Sequence, residues 1–139
     1  MPLPIVATPT YELKLPSSNK KIKYRPFLVK EEKVLIIALE SKSQSEITSA
    51  VKDVLKQCIL TKGVDVDSLP TFDIEYIFLN IRAKSIGEAI KVIVTCPDDG
   101  ETEVPITVYV DEIKISKSKD PKTDIVLDDK MTLRMKYPS

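Results

Sequence analysis

The residues that could do chemistry fall into three groups. Residues 96–112 hold Asp98, Asp99, Glu101, Glu103, Asp111 and Glu112, with no Lys or Arg among them. Carboxylates at 98, 99 and 101 are the ligand type that calcium prefers. Their spacing does not match the twelve-residue loop that closes on a bidentate glutamate, so a solvated acidic hairpin is the expectation. Cys96 would need a second cysteine at position 99 to begin a zinc ribbon, and Asp99 stands there. Neither a metal nor a cofactor is expected. The second group is Lys20, Lys21, Lys23, Arg25 and Lys30, a stretch from 17 to 30 without an acid. It forms a candidate basic face, of use to nucleic acid or to an acidic protein surface. The third is Asp73, Glu75 and Arg82. Two carboxylates two positions apart on a helix point to different faces, so Asp73 and Glu75 cannot act as an acid/base pair. Arg82 is expected to pair with one of them inside the chain, or else with a partner's carboxylate.

Whole classes of chemistry are missing. The chain has no His, which excludes Ser-His-Asp and Cys-His nucleophilic sites and imidazole-bound zinc. Its three glycines, Gly63, Gly87 and Gly100, are too scattered for a phosphate-cradling loop or a dinucleotide fingerprint. An enzyme is therefore not expected. Lys plus Arg is 21 and Asp plus Glu is 21, so no global field draws the chain to nucleic acid or to an anionic membrane. The longest apolar run, residues 34–39, is far short of the roughly 20 needed to span a bilayer. The first residues, Met1-Pro2-Leu3-Pro4-Ile5, lack the basic segment of a secretory signal. Two cysteines, Cys58 on an apolar stripe and Cys96, make no disulfide framework. A soluble protein of a reducing, intracellular compartment is expected.

The elements that position these groups can be read from periodicity. At 139 residues with 42% apolar and 30% charged residues, one globular domain is expected. Residues 1–9 read as an extended, proline-broken arm. Tyr11, Leu13 and Leu15, then Ile22 and Tyr24, alternate with charged residues around the turn cluster Pro16-Ser17-Ser18-Asn19, which predicts a β-hairpin. A helix over 28–40 follows. Its run of Val34, Leu35, Ile36, Ile37, Ala38 and Leu39 is apolar on nearly every side, as in a helix that is deeply buried or covered by a partner. Ser43 and Glu46 fit a capping box. Ile47, Ala50, Val51, Val54, Leu55, Cys58 and Ile59 then keep helical spacing up to a stop at Gly63. A third helix is expected from the Asp67-Ser68-Leu69-Pro70-Thr71 start to about Ser85, with Ile74, Ile77, Phe78 and Ile81 inward.

After Gly87 the period changes to two. Ile90, Val92, Val94 and Cys96 form one strand, Asp99-Gly100 a hairpin turn, and Val104, Ile106, Val108 and Val110 the returning strand, edge-like at Pro105. Residues 116–123 read as a loop. Ile125 and Leu127, then Met131, Leu133, Met135 and Tyr137, read as a last pair of strands. The order predicts an α+β fold: an N-terminal β-hairpin, about three helices, then antiparallel strands packed as one domain. The first helix has more apolar faces than a small core needs, and Tyr76 and Leu79 lie off the third helix's main stripe. Leu35, Ile36, Tyr76, Leu79 and Arg82 are thus the expected partner-binding residues.

Three stretches carry a family resemblance. They are Lys23-Tyr24-Arg25-Pro26-Phe27-Leu28-Val29-Lys30-Glu31-Glu32-Lys33, Asp73-Ile74-Glu75-Tyr76-Ile77-Phe78-Leu79-Asn80-Ile81-Arg82-Ala83-Lys84-Ser85-Ile86-Gly87-Glu88, and Met135-Lys136-Tyr137-Pro138-Ser139, with Cys96-Pro97-Asp98-Asp99 between the last two. In this order and spacing the chain resembles the baseplate hub assembly proteins of T4-type contractile-tailed bacteriophages. The resemblance implies a protein that helps to build the central hub of the tail baseplate in the infected cell, as an assembly factor or as a hub component. It implies phage hub and tail proteins as partners, with self-association a further expectation, no membrane, and the host cytoplasm or the virion tail as location. It brings no catalytic residues. Family members commonly continue past Pro138 into a helical region, so 1–139 corresponds to the N-terminal part of such a chain or to a short member. The alternative class is a small nucleic-acid-binding or regulatory module that uses the basic hairpin.

Overall fold

A computed structural model describes residues 7–119 and 122–139. Most of the arm expected at 1–9, and Asp120 and Pro121 of the expected 116–123 loop, lie outside the described residues. The fold is α+β. β1 (Tyr11–Lys14) and β2 (Lys21–Tyr24) pair antiparallel, with Leu13 opposite Ile22 and Glu12 opposite Lys23. The alternation sends Leu13, Leu15, Ile22 and Tyr24 inward, where they are buried, and leaves Glu12, Lys14, Lys21 and Lys23 outside. The turn closes through Leu15 N–H to the Lys20 carbonyl (2.9 Å), with Asn19 at φ +56°. Asparagine is among the few side chains that tolerate that left-handed conformation.

Helix α1 covers Val29–Glu40 and α2 covers Gln44–Cys58. α1 starts on a device the sequence reading missed. Glu31 reaches back to accept the Leu28 N–H at 2.6 Å, the reciprocal half of a capping box. The box expected at α2 does not form, because the Ser43 hydroxyl engages the Ser45 hydroxyl (3.0 Å) and caps no backbone N–H. The stripe of α2 does behave as its spacing requires: Ala50, Val54, Leu55 and Cys58 are buried. The helix stops at Cys58 rather than near Gly63. The open edge of β2 captures the chain there, with Arg25 N–H bonded to the Cys58 carbonyl (2.9 Å) and Leu60 N–H to the Lys23 carbonyl (2.8 Å). Those sheet bonds replace the next helical turn. Gly63, at φ +78°, serves the turn that follows.

A 3-10 turn at Val66–Ser68, capped by Asp65, precedes α3 (Thr71–Ser85). The third helix thus begins after Pro70, not at Asp67. Ile77 and Ile81 complete a core built from Leu13, Leu15, Ile22, Tyr24, Val54, Leu55, Cys58 and Val66. The first hairpin and the second and third helices enclose it.

The remaining strands form separate ladders. β3 (Ala89–Thr95) pairs with β4 (Glu103–Tyr109), and β5 (Asp124–Asp128) with β6 (Met131–Arg134). Among the described residues the six strands make three two-stranded sheets, not one continuous sheet. The last strand ends at Arg134, so Met135 and Tyr137 lie beyond it. The ring of Tyr137 instead packs edge-on against Phe72 (5.0 Å between centroids), and Thr71 N–H donates to the Pro138 carbonyl at 3.1 Å. The aromatic contact and a free helix-terminal N–H draw the tail back to the start of α3.

Candidate protein-binding surfaces

Three surfaces hold the residues singled out by sequence. The first is α1. Glu31, Leu35 and Ala38, at helical spacing, face inward: Glu31 and Ala38 are buried, and Leu35 packs against the core. The other sides leave Val34, Ile36, Ile37 and Leu39 exposed, Ile37 at 67% and Leu39 at 60%. Of the two expected partner-binding residues here, Ile36 is on the surface and Leu35 belongs to the packing.

The second surface is a groove along α3 of about 590 Å³. Phe72, Tyr76 and Leu79 form its floor, Ile113 and Ile115 one wall, and Tyr137 another. Glu75 and Lys117 stand among its polar residues. Tyr76 and Leu79 both line this groove and are half-buried, and Tyr76, like Leu35, also packs against the core. The wall at 113–115 was unread, since it belongs to no periodic element. The groove is held in shape by Asp73, which is fully buried. Asp73 accepts the Ser17 N–H at 3.1 Å and also the Ser17 hydroxyl, tying the β1–β2 turn to α3. A buried carboxylate needs such donors to offset its desolvation.

That tie also overturns the expected Arg82 pairing. Asp73 and Arg82 are nine positions apart, so at 3.6 residues per turn they stand on opposite sides of the helix. Glu75 shares Arg82's side but sits about 10 Å along the axis. Among the described residues Arg82 makes no ion pair, and its buried Nη1 has no hydrogen-bond partner.

The third surface is the basic hairpin. Lys20, Lys21 and Lys23 are exposed, but Arg25 is not part of the face. Arg25 lies past the end of β2 and turns inward, Nη2 donating to Glu31 at 2.9 Å and Nη1 to the Pro26 carbonyl at 3.0 Å. Burial works to raise the Glu31 carboxyl. The Arg25 and Leu28 hydrogen bonds, with the Arg25 and Lys30 charges, outweigh it and hold Glu31 below the usual carboxylate range. Lys23 sits 3.5 Å from Glu12, so the face is partly neutralised.

The acidic hairpin spends its central carboxylate on its own turn. Asp99 accepts the Glu101 N–H (3.1 Å), the Thr102 N–H (3.0 Å) and the Thr102 hydroxyl. The Thr102 hydroxyl, then the backbone donors, lower it to about 2. The buried Cys58 thiol is pushed up to about 11, chiefly by burial, and is no nucleophile. Among the described residues no three His, Cys, Asp or Glu side chains converge as a metal site. The surfaces on offer are therefore apolar and flanked by charge, which suits contact with other proteins.

The family model for the T4 bacteriophage base plate protein matches residues 8–139. The chain belongs to that base plate family. Searches of the curated proteins and of the solved structures found no match. Membership makes this a phage base plate protein and suggests other tail and base plate proteins as its partners. No helix of this base plate protein, among the described residues, is long and apolar enough to cross a membrane.

Proposed function

We propose that this base plate protein works in assembly of the central hub, as an assembly factor or a hub component, by binding other phage tail proteins and without catalysing a reaction. The reading rests on the exposed sides of α1. Four apolar side chains there, Val34, Ile36, Ile37 and Leu39, are 45–67% exposed on a single helix. So many exposed apolar side chains on one helix are costly to leave in water and point to contact with a partner. The α3 groove, with Tyr76 and Leu79, and Arg82 beyond its main stripe are a second region for such contacts.

The test is Ile37→Glu with Leu39→Glu in the protein expressed in infected cells. Both positions are exposed, so the fold and melting temperature should be unchanged. Co-purification of hub proteins should fall at least about tenfold, the loss of roughly 1.4 kcal/mol of contact. A folded variant that still carries its full set of tail proteins would refute the reading.

A further inference from the structure

Among the described residues, the β3–β4 hairpin has backbone groups without partners along its β3 edge. Cys96 N–H donates to the Thr102 carbonyl (2.8 Å) and Val110 N–H to the Glu88 carbonyl (2.9 Å). With Val94 opposite Val104 and Ile90 opposite Val108, antiparallel alternation makes the even-numbered β3 positions the hydrogen-bonded ones. Ala89, Lys91, Ile93 and Thr95 therefore point their N–H and C=O groups outward. On β4 the outward residues are Glu103, Pro105, Thr107 and Tyr109, and Pro105 has no N–H to offer. One edge of the hairpin is interrupted and the other is intact. The hairpin also has an apolar face, where Val92 meets Ile106 and Val94 meets Val104, each more than one-third exposed. A two-stranded sheet in this state is marginal by itself.

A second stretch has the matching deficiency. Residues 113–118 belong to no ladder, and no backbone N–H of 114–118 donates to another backbone group among the described residues. Their pattern is that of a strand: Ile113, Ile115 and Lys117 alternate with Lys114, Ser116 and Ser118. Ile113 and Ile115 lie in the wall of the α3 groove, so the segment is held in place within its own chain, where, among the described residues, β3 pairs with β4 alone. The charges are opposite. Residues 113–119 contain Lys114, Lys117 and Lys119 and no acid, whereas β3 is flanked by Glu88 and by Asp98 and Asp99. Either strand direction brings lysines to carboxylates.

We propose that the outer edge of β3 of one copy pairs with residues 113–118 of a second copy, laying the hairpin's apolar face over the α3 groove. The occupant is a second chain because both complementary strands, with their opposite charges, belong to this sequence. The contact joins two different patches, so it is heterologous. It does not depend on the α1 surface.

Sedimentation of the intact protein over a concentration series tests this. The mean mass should rise above one chain below about 1 mM protein. The association should weaken at least about tenfold when salt is raised to about 1 M, where the Debye length shrinks to about 3 Å. Ile93→Pro removes one outward N–H and no ladder bond, facing a proline already present, and should abolish association. Lys114→Glu with Lys119→Glu should weaken it at least tenfold without touching β3. Adding Glu88→Lys and Asp98→Lys, one at each end of β3, to that variant should restore it. Ile37→Glu with Leu39→Glu should leave it unchanged. A chain that stays monomeric, or one whose association survives both Ile93→Pro and the lysine reversal, or is lost only in the α1 variant, overturns the proposal.

Discussion

In the β1–β2 hairpin Leu13 faces Ile22 in register, and the two are 9% and 1% exposed. In the β3–β4 hairpin Val92 faces Ile106 in the same way, and they are 38% and 43% exposed. Both hairpins alternate apolar and polar residues. The difference is what lies across from them. The first hairpin has α2 and α3 pressed on its apolar face, and its β2 edge is taken by residues 58–60. The second has neither. The buried core runs from Leu13 to Ile81, and no described residue after 85 is buried. Full burial of a Leu or Ile side chain is worth about 1.5–3 kcal/mol. The helical half therefore carries the stability, and the strand-rich half carries surface that a partner can still cover.

The strongest way to break this contrast is to charge the core. Val54 is 1% exposed on the inner stripe of α2. Val54→Asp places an unpaired carboxylate in the core, at a cost on the order of the whole stability of a small domain, about 5–15 kcal/mol. Loss of the cooperative thermal transition is expected in calorimetry. A retained transition at the wild-type temperature would show that the α2 stripe is not the centre of the fold.

A finer probe is the Arg25–Glu31 ion pair of the helical half. Arg25→Met leaves Glu31 buried without its main counter-charge, and about 3–5 kcal/mol should be lost at neutral pH. The wild-type carboxyl titrates below its usual 4.5 because its hydrogen bonds and neighbouring charges overcome burial. A lowered folded value means that stability is fully present above the unfolded pKa and is lost as pH falls through the folded one. In Arg25→Met burial dominates, and Glu31 takes up a proton more readily. Urea denaturation from pH 7 down to about pH 3 should show the deficit of the variant shrinking as Glu31 protonates. A deficit that stays constant across that range would mean that the lost packing of the Arg25 stem, not the charge, was responsible.

The same contrast explains what could be read from the residues alone. The three hairpins, α2 and α3 were legible because each has a strong period: Leu13, Leu15, Ile22 and Tyr24 at two, and Ala50, Val54, Leu55 and Cys58 at the helical spacing. Tyr76 and Leu79 were legible as a second face of α3 because they break its stripe. What escaped were contacts between segments distant in sequence. Ser17 binds Asp73 across 56 positions, and nothing local marks either residue as a partner of the other. Arg25 sits in a run of lysines and looks like one more solvated cation, yet Glu31, six positions on, draws it inside. The groove wall at Ile113 and Ile115 lacks a ladder, so its short alternation gave no element to assign. Alternation also says which face of a hairpin is apolar, not whether anything covers it. That is why β3–β4 reads like a core strand pair and stands in solvent.

The smallest expected effect gives the closest test of the contrast. Val126 lies mid-strand in β5, opposite Thr132, and is 71% exposed. Its side chain has little packing to lose, and an aspartate there stays hydrated. Val126→Asp should therefore move the stability of the cooperative transition by no more than about 0.5 kcal/mol, as for an ordinary surface substitution. Its cost should be local. The β5–β6 hairpin depends on cross-strand pairs, and a two-stranded ladder has little stability to spare. Hydrogen exchange should then show faster amides across 124–134, while those of 50–58 and 74–83 keep the protection of global unfolding. If Val126→Asp instead lowers the melting transition by several kcal/mol, the hairpin folds as one unit with the helical half. The exposed strands would then be part of the core's cooperativity, and the division between a stabilising half and an uncovered half would fail.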